Sequence, residues 1–339
     1  MKLIKTEDAV GHVLCHDMTQ IIKDQYKDAR FRKGHVVTEE DIPVLLSMGK
    51  EHLYVWEMTS GMVHENDAAE RLLALCGQEN MIRSGVKEGK IELKAACDGV
   101  FLVDSARLVA VNSQDEVMIA TRKGGMAVRE GDKLAGMRVI PLIIEEEKLR
   151  KAEQAAGDKP LLSLKPYVRK TACIVATGGE VKKGLIKDTF TPVVIDKLKT
   201  YGIETLEVVY SGDGVENVRD AVLAMREKKP DMILCTGGMS VDPDDNTPGG
   251  IKAAGANIIA YGAPVLPGAM FLLGYFDDGM PIMGLPGCVM YAGATVFDLV
   301  LPKIAADVPV TRADLAALGE GGLCLGCKPC HYPICPFGK

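Results

Sequence analysis

The chain has 339 residues, 47% hydrophobic and 25% charged, with a formal net charge of −6. Such values fit a globular protein of two or three domains at roughly 150 residues each. The acidic balance argues against broad binding to nucleic acid or to an anionic membrane, and 5% aromatic content leaves little for single-strand stacking platforms.

The N-terminus lacks the apolar stretch of a signal peptide, and no apolar run reaches the roughly 20 residues of a spanning helix. The cytoplasm is therefore the expected compartment. Residues 1–150 mix short strands and helices and predict an α+β domain. Thr38 to Met48 reads as a helix, with Thr38 as cap, Asp41 three residues on, and Gly49 as stop. A second helix is expected over 68–76, before Gly77. Strands are expected at 53–56, 91–96, 99–103, 117–121 and 138–144, separated by turn signals at Gly124-Gly125 and Gly131-Asp132. His12, Cys15, His16 and Asp17 lie close together as candidate ligands, but one such group without a second reads first as ordinary solvated side chains. Residues 145–159 are charged and poor in large apolar side chains, and Pro160 follows. They predict a linker helix, with 151–169 as the linker between domains.

Residues 170–306 alternate strands with helices. The apolar run Ala172-Cys-Ile-Val-Ala176 leads into Thr177-Gly178-Gly179-Glu180, and Met232-Ile-Leu-Cys235 leads into Thr236-Gly237-Gly238 and Ser240. Helices are expected over 191–201, 215–228, 249–254 and 288–305, and further strands at 203–209, 256–260 and 281–284. This alternation predicts an α/β unit, a mainly parallel sheet with helices on both faces, whose ligands bind beyond the carboxyl ends of the strands. Paired glycines let the backbone turn sharply and approach a ligand there. Hydroxyls and unpaired backbone N–H groups suit an anion such as phosphate. Gly284-Leu-Pro-Gly287 is placed at the same edge.

These turns, in this order, resemble the molybdopterin-binding domain of the molybdopterin molybdotransferase family, shared with the C-terminal part of gephyrin. Thr177-Gly-Gly-Glu-Val181 resembles the family's Thr-Gly-Asp-Glu-Leu, and Asp188-Thr-Phe190 its Asp-Ser/Thr-Asn. Thr236-Gly-Gly-Met-Ser-Val241 resembles Ser-Gly-Gly-Val-Ser-Val, and Gly284-Leu-Pro-Gly287 the closing Gly-Leu-Pro-Gly-Asn-Pro. The resemblance covers about residues 170–305 and implies a three-layer α/β/α domain. It implies molybdopterin or its adenylylated form as ligand, with molybdate as the oxyanion handled. Thr177, Gly178, Gly179, Thr236, Gly237, Gly238, Ser240, Asp242, Asp244, Pro267, Gly268, Gly284, Leu285, Pro286 and Gly287 are the implied ligand-binding residues. Glu180, Asp188 and Asp245 are the implied catalytic acids, and the acidic cluster would position ligand or a divalent ion such as Mg²⁺. Two departures stand out. The family's Lys-Pro-Gly-Lys-Pro reads Leu266-Pro-Gly-Ala-Met270, so both lysines are gone, and the family's Asn-Pro reads Cys288-Val289. Lys182, Lys183 and Lys187 in the first loop are candidate substitutes for the lost cations.

Residues 307–339 end in a cysteine cluster. Cys324, Cys327, Cys330 and Cys335 follow the spacing C-x2-C-x2-C-x4-C, with Pro336 after the last. The spacing is one residue longer than the bacterial ferredoxin run C-x2-C-x2-C-x3-C-Pro, and four thiolates also suit tetrahedral zinc. An iron–sulfur cluster and Zn²⁺ are both open here. With few apolar residues around it, the tail is expected to order only with metal. The sequence thus predicts a protein of molybdenum cofactor biosynthesis that binds molybdopterin and promotes molybdate insertion. The alternatives are a non-enzymatic carrier or redox-sensing module and, more distantly, a phosphate hydrolase of the same fold. Expected partners are the pterin and a molybdoenzyme or another cofactor-biosynthesis protein, with no nucleic acid or membrane; a homo-oligomer is left open.

Overall fold

The computed structural model describes residues 2–22, 26–55, 61–240 and 245–339. The chain divides into two compact units: Met1–Ala96, Val103–Gly124 and Gly131–Ser163 form the first, and Cys97–Leu102, Gly125–Glu130 and Leu164–Lys339 the second.

The first unit is α+β. Its largest sheet is antiparallel, in the order Met81–Arg83, Ile91–Ala95, Lys133–Val139, Val117–Thr121. Helix Glu65–Cys76 buries Ala68, Ala69, Leu72, Leu73 and Cys76. Their spacing makes one apolar stripe. The helix expected from Thr38 begins instead at Asp41, because the Thr38 amide and hydroxyl both donate to Asp41 Oδ2 at 2.8 Å and form a turn before it. The charged run is a helix, Glu146–Ala156, with Leu149, Ala152 and Ala156 buried. Arg71 joins Glu146 and Glu153 on its flank at 2.9 and 2.7 Å. Residues 151–169, expected as linker, hold the end of this helix and the strand Leu162–Pro166.

The second unit carries a six-stranded sheet. We label its elements β1 (Thr171–Thr177), α1 (Gly179–Lys182), α2 (Phe190–Lys199), β2 (Glu204–Ser211), α3 (Val215–Glu227), β3 (Met232–Thr236), α4 (Thr247–Ala253), β4 (Asn257–Tyr261), β5 (Leu272–Tyr275), β6 (Pro281–Leu285), α5 (Val296–Ala305) and α6 (Arg312–Ala317). The strand order is β2-β1-β3-β6-β5-β4. The first four strands run parallel; β5 and β4 continue the sheet antiparallel.

Successive residues of a strand point to opposite faces, so a strand covered on both sides is apolar throughout. The central strands show this directly. Ala172, Ile174, Met232, Leu234, Met283 and Leu285 pack with Val194 and Leu198 of α2 and with Phe297, Val300 and Leu301 of α5. Cys173, Val175, Ile233, Cys235 and Ile282 pack on the other face with Val218, Val222 and Met225 of α3 and Ile251 of α4. The result is a three-layer α/β/α unit. The region expected as one helix over 288–305 is split into a 3-10 turn at Gly287–Met290 and α5, which starts at a capping box between Thr295 and Asp298. A separate three-stranded sheet of this unit joins Met126–Val128, Gly99–Val103 and Leu162–Pro166.

Candidate functional site

Because β1, β3 and β6 are adjacent and parallel, their ends lie at one edge. Ala176 stands opposite Thr236, and Thr236 opposite Leu285. The three turns Thr177-Gly178, Thr236-Gly237 and Leu285-Pro286-Gly287 therefore converge at the carboxyl edge of the sheet. β2 ends there too, at Ser211, followed by Gly212 and Asp213.

Three buried threonines stitch this edge. Thr177 Oγ1 donates to the Thr236 carbonyl at 2.9 Å and lies 3.0 Å from Thr247 Oγ1. Thr247 Oγ1 in turn donates to the Gly237 carbonyl at 2.9 Å. The two Thr-Gly-Gly turns are thus held by hydroxyls of the edge itself, and Thr177 and Thr236 serve as scaffold, with their side chains buried. Gly237 (φ +83°) and Gly238 (φ +55°) adopt backbone conformations that favour glycine. A Cβ on Gly238 would lie 2.6 Å from Thr247 Oγ1, so no side chain can be added there without disturbing the scaffold. A Cβ on Gly284 would lie 2.6 Å from the sulfur of buried Met239 and 3.2 Å from the Leu272 Cβ, so the strand is closely packed there. Leu285 and Pro286 are buried, and Leu285 belongs to the core; Gly287 is the exposed member of that motif.

The acids separate by role. Glu180 sits on α1, exposed. Asp188 accepts the Phe190 and Thr191 amides at 2.9 and 3.0 Å on Oδ1 and the Tyr210 hydroxyl at 3.2 Å on Oδ2. Burial pushes its pKa up, but these hydrogen bonds outweigh it and hold the carboxylate below its ordinary range. Asp188 therefore fixes the start of α2. Asp245 Oδ2 accepts the Ser240 amide at 2.9 Å, so that backbone donor is already engaged, while the Ser240 side chain is exposed. Asp242 and Asp244 lie outside the described residues. Gly268 is buried, and a Cβ there would lie 2.9 Å from the Val296 amide nitrogen; the Pro267 carbonyl accepts from that amide at 3.3 Å. This loop is packed on the start of α5. Lys182, Lys183 and Lys187 are exposed around the first turn.

Four residues at this edge escape a reading of the sequence. Besides Thr247 and Met239, Asp213 accepts the Gly179 amide at 3.0 Å, and the Tyr261 hydroxyl donates to the Met239 carbonyl at 3.0 Å. Thr247 alone leaves a local signal, as the residue before Pro248 at a helix start.

Elsewhere, Cys15 is buried, and Asp17 Oδ1 accepts the Lys33 amide at 2.7 Å. Among the described residues, no three His, Cys, Asp or Glu side chains stand close enough to hold a metal ion as they are placed. The cysteine tail packs onto the core of the second unit. Phe337 is 2% exposed in the core, and the Tyr332 hydroxyl donates to the Asp298 carbonyl at 3.0 Å. Among the described residues no helix is long and apolar enough to cross a membrane.

Residues 173–306 match a family model described as a probable molybdopterin binding domain, and residues 3–57 match one described as a domain of unknown function (DUF8806). A CinA-like protein of Mycobacterium tuberculosis is 33% identical over 76 residues, which is 22% of this chain and 18% of that protein. The match thus spans less than a fifth of the curated relative's length. Among solved structures, the molybdopterin biosynthesis Mog protein from Mycobacterium ulcerans is 20% identical, with a TM-score of 0.34, covering 42% of this chain and 97% of that one. The tungsten cofactor synthesizing protein MoaB from Pyrococcus furiosus is 16% identical, with a TM-score of 0.31, covering 41% and 89%. Residues 173–306 are thus the part of the chain that is similar to the probable molybdopterin binding domain family.

Proposed function

We propose that the second unit binds molybdopterin at the carboxyl edge of its sheet and acts in molybdenum cofactor biosynthesis by promoting molybdate insertion. The observation that carries this reading is the convergence of three glycine turns on one edge, inside a domain of the molybdopterin-binding family. In this reading the ligand's phosphate lies over Gly237, Gly238 and the Ser240 hydroxyl, while Gly178, Gly179 and Gly287 line its flanks. Lys182, Lys183 and Lys187 supply the positive charge that the 266–270 loop lacks. Glu180, exposed beside the turns, orients the reacting oxyanion, and Asp245, with its neighbours in the acidic loop, positions the ligand or an Mg²⁺ ion. Catalysis is then a matter of placement and electrostatics. The tail cysteines add a metal centre to the domain.

Two measurements test this. Titrating molybdopterin against the protein should show saturable binding. Replacing Lys182, Lys183 and Lys187 together by Gln should weaken that binding by roughly tenfold, a loss that shrinks as salt is added. Unchanged affinity in the triple variant would place the phosphate elsewhere. Glu180→Gln should lower molybdate-dependent product formation by about tenfold or more, with affinity little changed.

A carrier reading has one observation in its favour. The loop at the position of the family's lysines carries no cation and is packed against both Val296 and the tail. If the unmutated protein binds the pterin yet forms no molybdate-dependent product, it is a carrier.

A further inference from the structure

We propose that Tyr261 is a positioning residue for the candidate pterin site: its hydroxyl fixes the Met239–Ser240 peptide so that the second glycine turn offers donors, and no carbonyl, to the ligand's phosphate. The inference rests on the reading of that edge as the pterin site and names a residue on which its phosphate turn depends.

Tyr261 comes from the part of the sheet that departs from strand–helix alternation. β5 runs antiparallel to both its neighbours, so β4 is parallel to β6 and ends at the same carboxyl edge. Cys235, Gly284, Leu272 and Tyr261 stand in one row across β3, β6, β5 and β4. The antiparallel return thus carries a phenol to the flank of the turn after β3. There its hydroxyl donates to the Met239 carbonyl at 3.0 Å and lies 3.4 Å from the Ser240 carbonyl.

The carbonyls of this turn are held from behind. Thr247 Oγ1 donates to the Gly237 carbonyl at 2.9 Å, and the Thr247 amide to the Gly238 carbonyl at 3.2 Å. Tyr261 takes the Met239 carbonyl. These peptides are trans, and in a trans peptide the carbonyl and the next amide point in opposite directions. Holding the Gly237 and Gly238 carbonyls on Thr247 therefore turns the Gly238 and Met239 amides away from it. Among the described residues neither amide has a hydrogen-bond partner. Successive open amides make a nest suited to an anion. The next peptide is fixed at both ends, its carbonyl by Tyr261 and the Ser240 amide by Asp245 Oδ2 at 2.9 Å. That peptide sets the placement of the Ser240 hydroxyl, which the reading above puts on the phosphate.

Without the Tyr261 hydroxyl, the 239–240 peptide keeps only its anchor on Asp245. Rotation about that anchor would swing a carbonyl oxygen, the negative end of its dipole, toward a phosphate and repel it. Partial burial, and then the Asp245 carboxylate nearby, push the phenol's pKa up, so the hydroxyl keeps the proton that this bond needs. The side chain is 45% exposed, so a change to Phe removes the donor with little loss of packing.

The test compares Tyr261→Phe with the unmutated full chain, after circular dichroism has shown both folded. Two ligands are titrated anaerobically: molybdopterin, and the same pterin with its phosphate removed. The unmutated protein should bind molybdopterin the more tightly. Tyr261→Phe should weaken molybdopterin binding by about fivefold or more, the scale of one net hydrogen bond, and leave the dephosphorylated pterin unaffected. Without any ligand, the Ser240 amide resonance of isotope-labelled protein should shift in the variant and exchange faster with solvent, while the Gly250 amide, inside α4, stays as it was. Equal losses for both ligands would make Tyr261 a support of the fold alone and overturn the inference. Unchanged molybdopterin affinity or an unmoved Ser240 amide would overturn it too. If the unmutated protein binds both ligands equally, the phosphate lies off this turn; the inference then fails while pterin binding stands. If it binds neither, the pterin reading itself fails and takes the inference with it.

Discussion

Gly237→Ala should destabilise the second unit by roughly 3 kcal/mol, the sum of a strained left-handed residue and a local overpacking. Gly237 has φ +83°, and a Cβ there would lie 2.4 Å from the Thr177 carbonyl oxygen and 2.9 Å from Thr177 Oγ1. Neither neighbour can yield cheaply. The carbonyl belongs to the end of β1, and the hydroxyl holds the Thr236 carbonyl and Thr247. Relief would require β1 and β3 to part at the edge where the ligand is proposed to sit. Gly255→Ala is the control. Gly255 has φ +92° with nothing within 4 Å of the added carbon, so it should cost only the backbone strain of about 1–2 kcal/mol. Chemical denaturation followed by circular dichroism measures both. Equal losses in the two variants would mean that the close approach of the turns has no energetic weight.

Asp298→Ala should cost about 3–5 kcal/mol, the range for removing one partner of a buried ion pair. Asp298 pairs with Lys197, whose side chain is largely buried beside it. The same carboxylate accepts the Thr295 amide at 2.7 Å and so completes the capping box of α5. The variant leaves a buried ammonium without its counter-charge and removes a helix cap at once. Asp298→Asn keeps an acceptor for the cap and should lose less. Combining Lys197→Met with Asp298→Asn should recover part of the difference, because the uncompensated charge is then gone. A midpoint for Asp298→Ala within experimental error of the unmutated protein would show that the pair contributes nothing.

How far the amino-acid sequence discloses this fold depends on the range of the forces involved. The turns after β1 and β3 are legible because a strand, a hydroxyl and two glycines are neighbours along the chain. Their convergence is legible because parallel strands share a direction. The threonine lock is not, since Thr177 and Thr247 are 70 residues apart and each looks like an ordinary loop residue. Asp188 and Thr236 carry family patterns that suggest ligand contacts, and those patterns do not reveal that Asp188 accepts the Phe190 and Thr191 amides or that the Thr236 side chain is buried. β5 escapes because strand–helix alternation predicts parallel neighbours. Leu272–Tyr275 instead returns antiparallel from β4 after a loop. The end of the first unit is hidden for a similar reason. Helix Glu146–Ala156 has so few large apolar residues that its packing face reads as solvent-facing, and its partner Arg71 lies far away along the chain.

The interleaved path of the chain has a practical meaning for anyone who would transplant the second unit. A gene fragment opening at residue 164 would encode the six-stranded sheet but not Gly99–Val103 or Met126–Val128. The Tyr167 hydroxyl would lose its acceptor, the Gly99 carbonyl, and Lys303 on α5 would lose Gly125 beneath its stem. Residues 97–102 and 125–130 therefore belong in any fragment meant to keep the second unit whole.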